Sequence, residues 1–264
     1  MRKRLLATLA VVLGVSSAGW AQQSRVCASH ENYQNQMKDP KVLHRMQHIE
    51  QSTQEYMRQM QDLRANGRLA DDGVTVIIPT VVHVIYRTSQ ENISDAQIQS
   101  QIDVLNEDFS ASNSDYNNTP SEFAALRSGD TKIRFEMATT DPNGNPTSGV
   151  TRKYSNNSSW GTNDAMKSSA QGGVDAWPTD QYFNIWVCNI GGGILGYAQF
   201  PGGSASTDGV VIAPNYFGSA DKGTGFYLSA PFNKGRTATH EVGHWLNLRH
   251  IWGDGNCNAS DFVD

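Results

Sequence analysis

The stretch His240-Glu241-Val242-Gly243-His244, followed by His250, restricts the architecture of this chain more than any other feature. In an α-helix, residues four apart lie about 400° around the axis and ~6 Å along it, so His240 and His244 share one face. Two imidazoles so placed can hold one metal ion. Glu241 follows His240 directly and therefore flanks such an ion instead of binding it. On a continued helix His250 would lie about 240° away from His244, facing the wrong side. The helix must end between them. Asn247 is the residue in that interval that tolerates the left-handed conformation closing many helices. The fold must therefore supply a helix, a turn at Asn247, and a core for Trp245, Leu246 and Leu248 to pack on.

Three neutral imidazoles suit Zn²⁺, whose catalytic sites use three protein ligands and keep one position open. A carboxylate beside the ion is placed to act as general base toward a metal-bound water. A lone His-Glu-x-x-His also arises on the solvated face of an ordinary amphipathic helix. A third histidine at the required offset, with a helix breaker before it, makes coincidence the weaker reading.

The chain has 264 residues, 38% hydrophobic and 18% charged, enough for one domain with a sizeable core plus an appendage. Residues 1–21 read as a secretory signal peptide, with Arg2, Lys3 and Arg4 before an apolar run from Leu5 to Val15 and small residues at Gly19 and Ala21. That run is too short to span a bilayer, and no later segment is long and apolar enough. The expectation is a secreted, extracellular protein with no membrane span in its mature form. Loss of Arg2, Lys3 and Arg4 takes the formal charge from -5 to -8. An acidic chain without a basic patch is a poor partner for nucleic acid or anionic membranes. Three cysteines, Cys27, Cys188 and Cys257, leave one thiol without an internal partner.

Residues 22–70 differ from the rest, being rich in Gln, Met, Arg and Glu, with no glycine before Gly67. Asp39-Pro40 predicts a helix start. Val42, Leu43, Met46, Ile49, Thr53, Tyr56, Met60 and Leu63 then recur at helical steps. This segment reads as a helical pro-segment, the alternative being a surface helix of the main domain. The body, 71–264, opens with the β-branched run at 73–88, in which His83 is expected to be structural. Ser94 and Gln97 form the pattern of a capping box ahead of a helix lined by Ile98, Ile102, Leu105 and Phe109. Strands are expected through Ile133–Met137, through Phe183–Val187, in Ile194–Phe200 and in Asp208–Pro214. Strands interleaved with helices imply an α/β or α+β layered domain.

The run "HEVGHWLNLRHIWGD", preceded by "GRTAT", resembles the metzincin zinc metallopeptidases and most closely the pappalysin family, with its ulilysin-like members. Asn247 replaces the glycine of the general metzincin pattern, a change that the pappalysin branch accepts. "IPTVVHVIY", "FNIWVCNIGGGILGYAQFPG" and "TDGVVI" extend the resemblance over most of residues 73–264.

The resemblance implies a twisted, mostly parallel sheet with an antiparallel edge strand, a backing helix and an active-site helix. It further implies a zinc endopeptidase hydrolysing peptide bonds in proteins, with His240, His244 and His250 as ligands and Glu241 as base. Gly196, Tyr197, Ala198, Gln199 and Phe200 match the edge strand that aligns an extended substrate antiparallel. An ordinary core strand is the competing reading of that run.

Family members carry a methionine-containing turn after the third histidine. Here no methionine follows Met166, so the lower subdomain is expected to be missing from the chain as given. A zinc-binding or interaction module without turnover is the alternative function on that ground. Asp254, Asp261 and Asp264 lie where the family begins a calcium-binding loop, against which stands a simply solvated acidic end. Some metzincin zymogens block zinc with a cysteine, which makes Cys27 a candidate zymogen switch and fourth zinc ligand. A disulfide from Cys27 to Cys188 or Cys257 is the other option. Activation would then cut between Arg58 and Arg68. The sequence does not set the substrate or the oligomeric state.

Overall fold

The computed structural model describes residues 27–66 and 73–250. The signal peptide, Gly67, Cys257 and the three candidate calcium aspartates lie outside the described residues. Two helices come first, α1 (Ser29–Gln36) and α2 (Pro40–Ala65). The Asp39 carboxylate accepts the Lys41 backbone N–H at 2.8 Å, capping α2 where the sequence puts its start.

The body is built on β1 (Val76–Tyr86), α3 (Asp95–Phe109), β2 (Ile133–Met137), β3 (Val150–Tyr154), β4 (Phe183–Val187), β5 (Gly196–Ala198), β6 (Val210–Ile212) and α4 (Arg236–Trp245). The sheet order is β2-β1-β4-β6-β5, with β3 also on β1. All pairings are parallel except β5 with β6. β1 is long enough to take β2 along Val76–Thr80 and β3 along Val82–Tyr86. From Thr80 to Ile85 β1 is buried on both faces, which is why its centre is mostly apolar and does not alternate. The polar β3, Val-Thr-Arg-Lys-Tyr, offers no such run, and its pattern does not announce a strand.

Side chains alternate across the sheet. Val82, Val84, Ile185, Val187, Val210 and Ile212 face α3 and α4. Ile85, Trp186, Tyr197 and Val211 face a second cluster that includes Cys188. His83 is buried in β1, its ring nitrogens 2.7 Å from Thr151 Oγ1 and 3.0 Å from Asn184 Oδ1. Burial holds its pKa down at about 4, so it stays neutral as a structural group.

Only half of the capping box forms. Ser94 Oγ accepts from Gln97 N, but the Gln97 side chain turns inward. Its amide donates to the carbonyls of Pro214, Phe217 and Tyr227 and accepts from Tyr227 N, tying α3 to the 214–227 loop. These four bonds to backbone groups outweigh the single cap bond it would otherwise make.

Candidate metal centre and active site

Helix α4 is held by its neighbours before any ligand is considered. It starts after Gly235, whose φ of 76° and whose backbone lie against α3, where an added Cβ would meet Val104 Cγ1 at 2.9 Å. On the same side Asp108 of α3 accepts from Thr239 Oγ1 at 2.7 Å and pairs with Arg236 Nε at 3.1 Å. Ala238 and Val242 are fully buried in the core below. These contacts fix the rotation of α4 and hence where His240 and His244 point.

The helix ends as the histidine spacing demands. Asn247 has φ 71°, its N–H donates to His244 O at 2.9 Å, and Leu248 N–H donates to Gly243 O at 2.9 Å. This pair of bonds is a Schellman turn. It brings His250 back beneath α4, so the Nε2 atoms of His240, His244 and His250 lie 3.0 to 3.1 Å apart. Trp245 packs on Phe183 with the rings tilted and their centroids 4.2 Å apart, and it donates to Asp208. Leu246 is partly buried, but Leu248 is 62% exposed and does not pack into the core as its apolar character suggests. The turn that delivers His250 turns Leu248 outward.

The donor set fits a metal ion. A tetrahedral ion with bonds of about 2.0–2.1 Å requires ligand atoms ~3.3 Å apart, close to the spacing of the three nitrogens. His244 Nδ1 lies 2.7 Å from the Leu248 carbonyl, which fixes the tautomer that leaves Nε2 with its lone pair toward the cluster. Cys27 is the fourth donor, all four ligand atoms lying within 4.8 Å of one another. Burial and the nearby Glu241 carboxylate push the Cys27 thiol up to about 12. A thiolate at that position therefore needs a cation beside it.

Glu241 is buried next to the cluster, its Oε2 3.5 Å from Cys27 Sγ and 2.7 Å from Ser29 Oγ. The Ser29 hydroxyl donates to that carboxylate and accepts from Ala198 N–H at 2.8 Å, so it joins α4 to β5. The role of Ser29 is not evident from composition or motif. Ser29 is the first residue of α1, placed at Glu241 by the bond of Ala28 to the edge of β5, and no local pattern announces it.

β5 is the outer strand of the sheet. Gly196, Tyr197 and Ala198 form it, and Gln199 and Phe200 continue past its end, all five buried. Its outer edge is taken by residues 27–29. Cys27 makes a parallel bridge with Gly196, and Ala28 N–H donates to Gly196 O at 3.3 Å. Further along, Asn32 reaches Asp164, and Gln36 reaches Gln199. Cys27 and Cys188 are both free thiols, and Cys188 lies in the core cluster across the sheet. The Cys27–Cys188 disulfide weighed from cysteine counting is thus absent.

A helix carrying two histidines and a glutamate, a left-handed turn returning a third, and a sheet edge alongside together define a metzincin-type domain. Comparison with known proteins agrees with that class. The family described as pregnancy-associated plasma protein-A, Peptidase M43, matches residues 167–264. Mature mirolysin of Tannerella forsythia in complex with a cleaved peptide superposes with TM-score 0.67 at 52% identity, over 72% of this chain and 70% of that one. A promirolysin mutant from the same organism superposes with TM-score 0.74 at 43% identity, over 90% and 75%. The extracellular metalloprotease of Pyricularia oryzae is 32% identical over 76% of this chain and 59% of its own length. Extracellular metalloprotease 1 of Coccidioides posadasii is 30% identical over 76% and 62%. The chain thus spans about 60% of the length of these curated relatives. It belongs to the pappalysin family of metzincins, with the mostly parallel sheet and antiparallel edge strand expected of that fold. No helix among the described residues is long and apolar enough to cross a membrane.

Proposed function

We propose that the chain is the latent form of a secreted zinc endopeptidase, with residues 22–70 as its pro-segment and 71–264 as catalytic domain. The observation that carries this reading is the convergence of three imidazole nitrogens beside the buried Glu241 carboxylate, on a helix facing a sheet edge. The names of its relatives, extracellular metalloproteases and a peptide-bound mirolysin, support secretion and a peptide substrate.

His240, His244 and His250 would hold zinc, with Cys27 as fourth ligand while the pro-segment is in place. Zinc in this position supplies Lewis-acid polarisation of a peptide carbonyl and of water. Glu241 takes the proton of the attacking water and returns it to the leaving amine as the C–N bond breaks. The edge of β5, once vacated by residues 27–29, aligns an extended peptide through backbone hydrogen bonds. In the latent form Cys27 would hold the metal together with the three histidines, and Ser29 engages the carboxylate that must accept the proton. Cleavage between Arg58 and Arg68 would release both.

The test uses the full-length gene product with Glu241→Ala and His244→Ala. The first is expected to retain one zinc per chain by elemental analysis and to lose peptide hydrolysis by more than about 100-fold after processing. The second is expected to lose both. A Glu241→Ala protein that cleaves like the unaltered enzyme refutes the mechanism. Zinc bound by the unaltered, processed protein without hydrolysis favours a metal-binding module.

A further inference from the structure

We propose that Phe200 and Arg249 form an aromatic-accepting substrate subsite beside the three histidines, occupied in this structure by the Tyr33 side chain of the protein itself. The inference rests on the peptidase reading above and adds to it a class of preferred substrate.

Phe200 follows the edge strand β5 and is buried, yet it belongs to neither large core cluster. Its apolar neighbours are Val42 and Met46, with Tyr33 and Met37 packed around them, all from residues 22–70. On its inner side its ring centroid is 5.2 Å from that of His244, next to the ligand cluster. Phe200 is therefore a cleft residue covered by the pro-segment. It is not a core residue of the catalytic body.

Tyr33 lies in this place as a ligand would. Its ring meets Phe200 edge-on at 5.2 Å, the geometry aromatic pairs favour. The Arg249 guanidinium lies over the Tyr33 ring at 4.5 Å and over the Phe200 ring at 4.9 Å. Arg249 Nη2 donates to the Tyr33 hydroxyl at 3.4 Å. The Tyr33 ring thus meets a second aromatic ring edge-on and lies under a guanidinium that also donates to its hydroxyl. That combination selects an aromatic side chain over an aliphatic one, and a tyrosine most of all. Arg249 also lines the cavity that opens on His240, His244 and His250.

The strand fixes which side of the scissile bond is read. Gly196 is level with Cys27 at the ligand cluster, and β5 then runs toward Phe200. A peptide laid antiparallel on β5 carries the residues preceding its scissile bond toward Phe200. The subsite therefore reads a residue on the N-terminal side of the cut.

The experiment compares internally quenched peptides differing only in Tyr, Phe, Leu or Ala at each of the positions preceding the scissile bond. The enzyme is the processed product of the full-length gene. Tyr and Phe are expected to exceed Ala in kcat/KM by about tenfold at one position, the scale of one aromatic pair plus one guanidinium stack. Phe200→Leu, which keeps an apolar side chain there, and Arg249→Gln are each expected to shrink that ratio to within about threefold. Equal kcat/KM across the series, or a preference unchanged in both variants, overturns the subsite. If no peptide is cut, the peptidase reading fails by itself, and fluorescence anisotropy of labelled Tyr and Ala peptides on the same protein still decides the subsite. Tighter binding of the Tyr peptide supports it, and equal binding overturns it.

Discussion

Replacing Asn247 by valine tests whether the turn after α4, and not the histidine spacing alone, makes the metal centre. Asn247 has φ 71°, in the left-handed region, and its turn closes through two backbone bonds of 2.9 Å to His244 O and Gly243 O. Asparagine tolerates this region, whereas an ordinary L side chain pays about 1–2 kcal/mol there, and a β-branched one is a clear outlier. Valine will escape that cost by unwinding the turn, and His250 will leave its place 3.0 Å from His244 Nε2. Metal binding must then restore the strained turn. A cost of about 1–2 kcal/mol converts to roughly 5- to 30-fold weaker zinc affinity. The assay is competition against a chromophoric chelator on the full-length chain, with circular dichroism as control for folding. Asn247→Gly, which takes the same φ without strain, is expected to bind at least as tightly as the unaltered chain. A valine variant with undiminished affinity, or a glycine variant weakened to the same extent, would falsify the argument.

If Ser29 holds the catalytic carboxylate while Cys27 holds the metal, Ser29→Ala and Cys27→Ala should each shorten the lag before self-processing, and the double variant should do so most. A hydrogen bond to a charged group contributes about 1.5–3 kcal/mol, so a lag on gels that is unchanged in Ser29→Ala argues against the second contact. His83 makes stability depend on pH. Its folded pKa of about 4 lies below the ordinary value near 6.5, so the unfolded chain binds more protons and stability falls as pH drops from about 6.5 toward 4. The loss approaches about 3 kcal/mol at full effect. Urea midpoints at pH 7 and 5 should converge on replacing His83 by Gln; the same acid sensitivity in the variant would assign it to other groups.

Helix α4 was legible because its constraint is geometric. Two histidines at helical spacing and a third out of phase force a break, and Asn247 is where the chain takes it. β1 and β4 were legible because strands buried on both faces are mostly apolar, with His83 and Asn184 satisfying each other inside. β3 was not, since its side chains meet solvent and its register comes from β1. Leu248 misled because a leucine near the end of a buried helix is ordinarily core, whereas here the backbone turn sets its direction. Ser29, Tyr33 and Arg249 could not be read in advance. Their meaning lies in what faces them across more than 160 residues of sequence, and no local pattern encodes that.

If residues 22–70 are a pro-segment, the direction of residues 27–29 bears on how it could occupy the cleft without being cut there. The Cys27–Gly196 bridge is parallel, so this segment runs along β5 in the sense opposite to an antiparallel substrate. A segment running in that sense presents its N–H and C=O groups along β5 in the order opposite to that of an antiparallel peptide. Ser29 adds to this by using the carboxylate oxygen as an acceptor at 2.7 Å. Either effect slows hydrolysis by itself, since proton transfer and alignment are separate contributions to the barrier. On the proposed reading, latency thus rests on strand polarity and base capture as well as on the thiol. Loss of Cys27 alone, by mutation or oxidation, would leave the segment in a geometry still poorly suited to cleavage. Full activity would follow only when residues 27–36 leave the edge of β5.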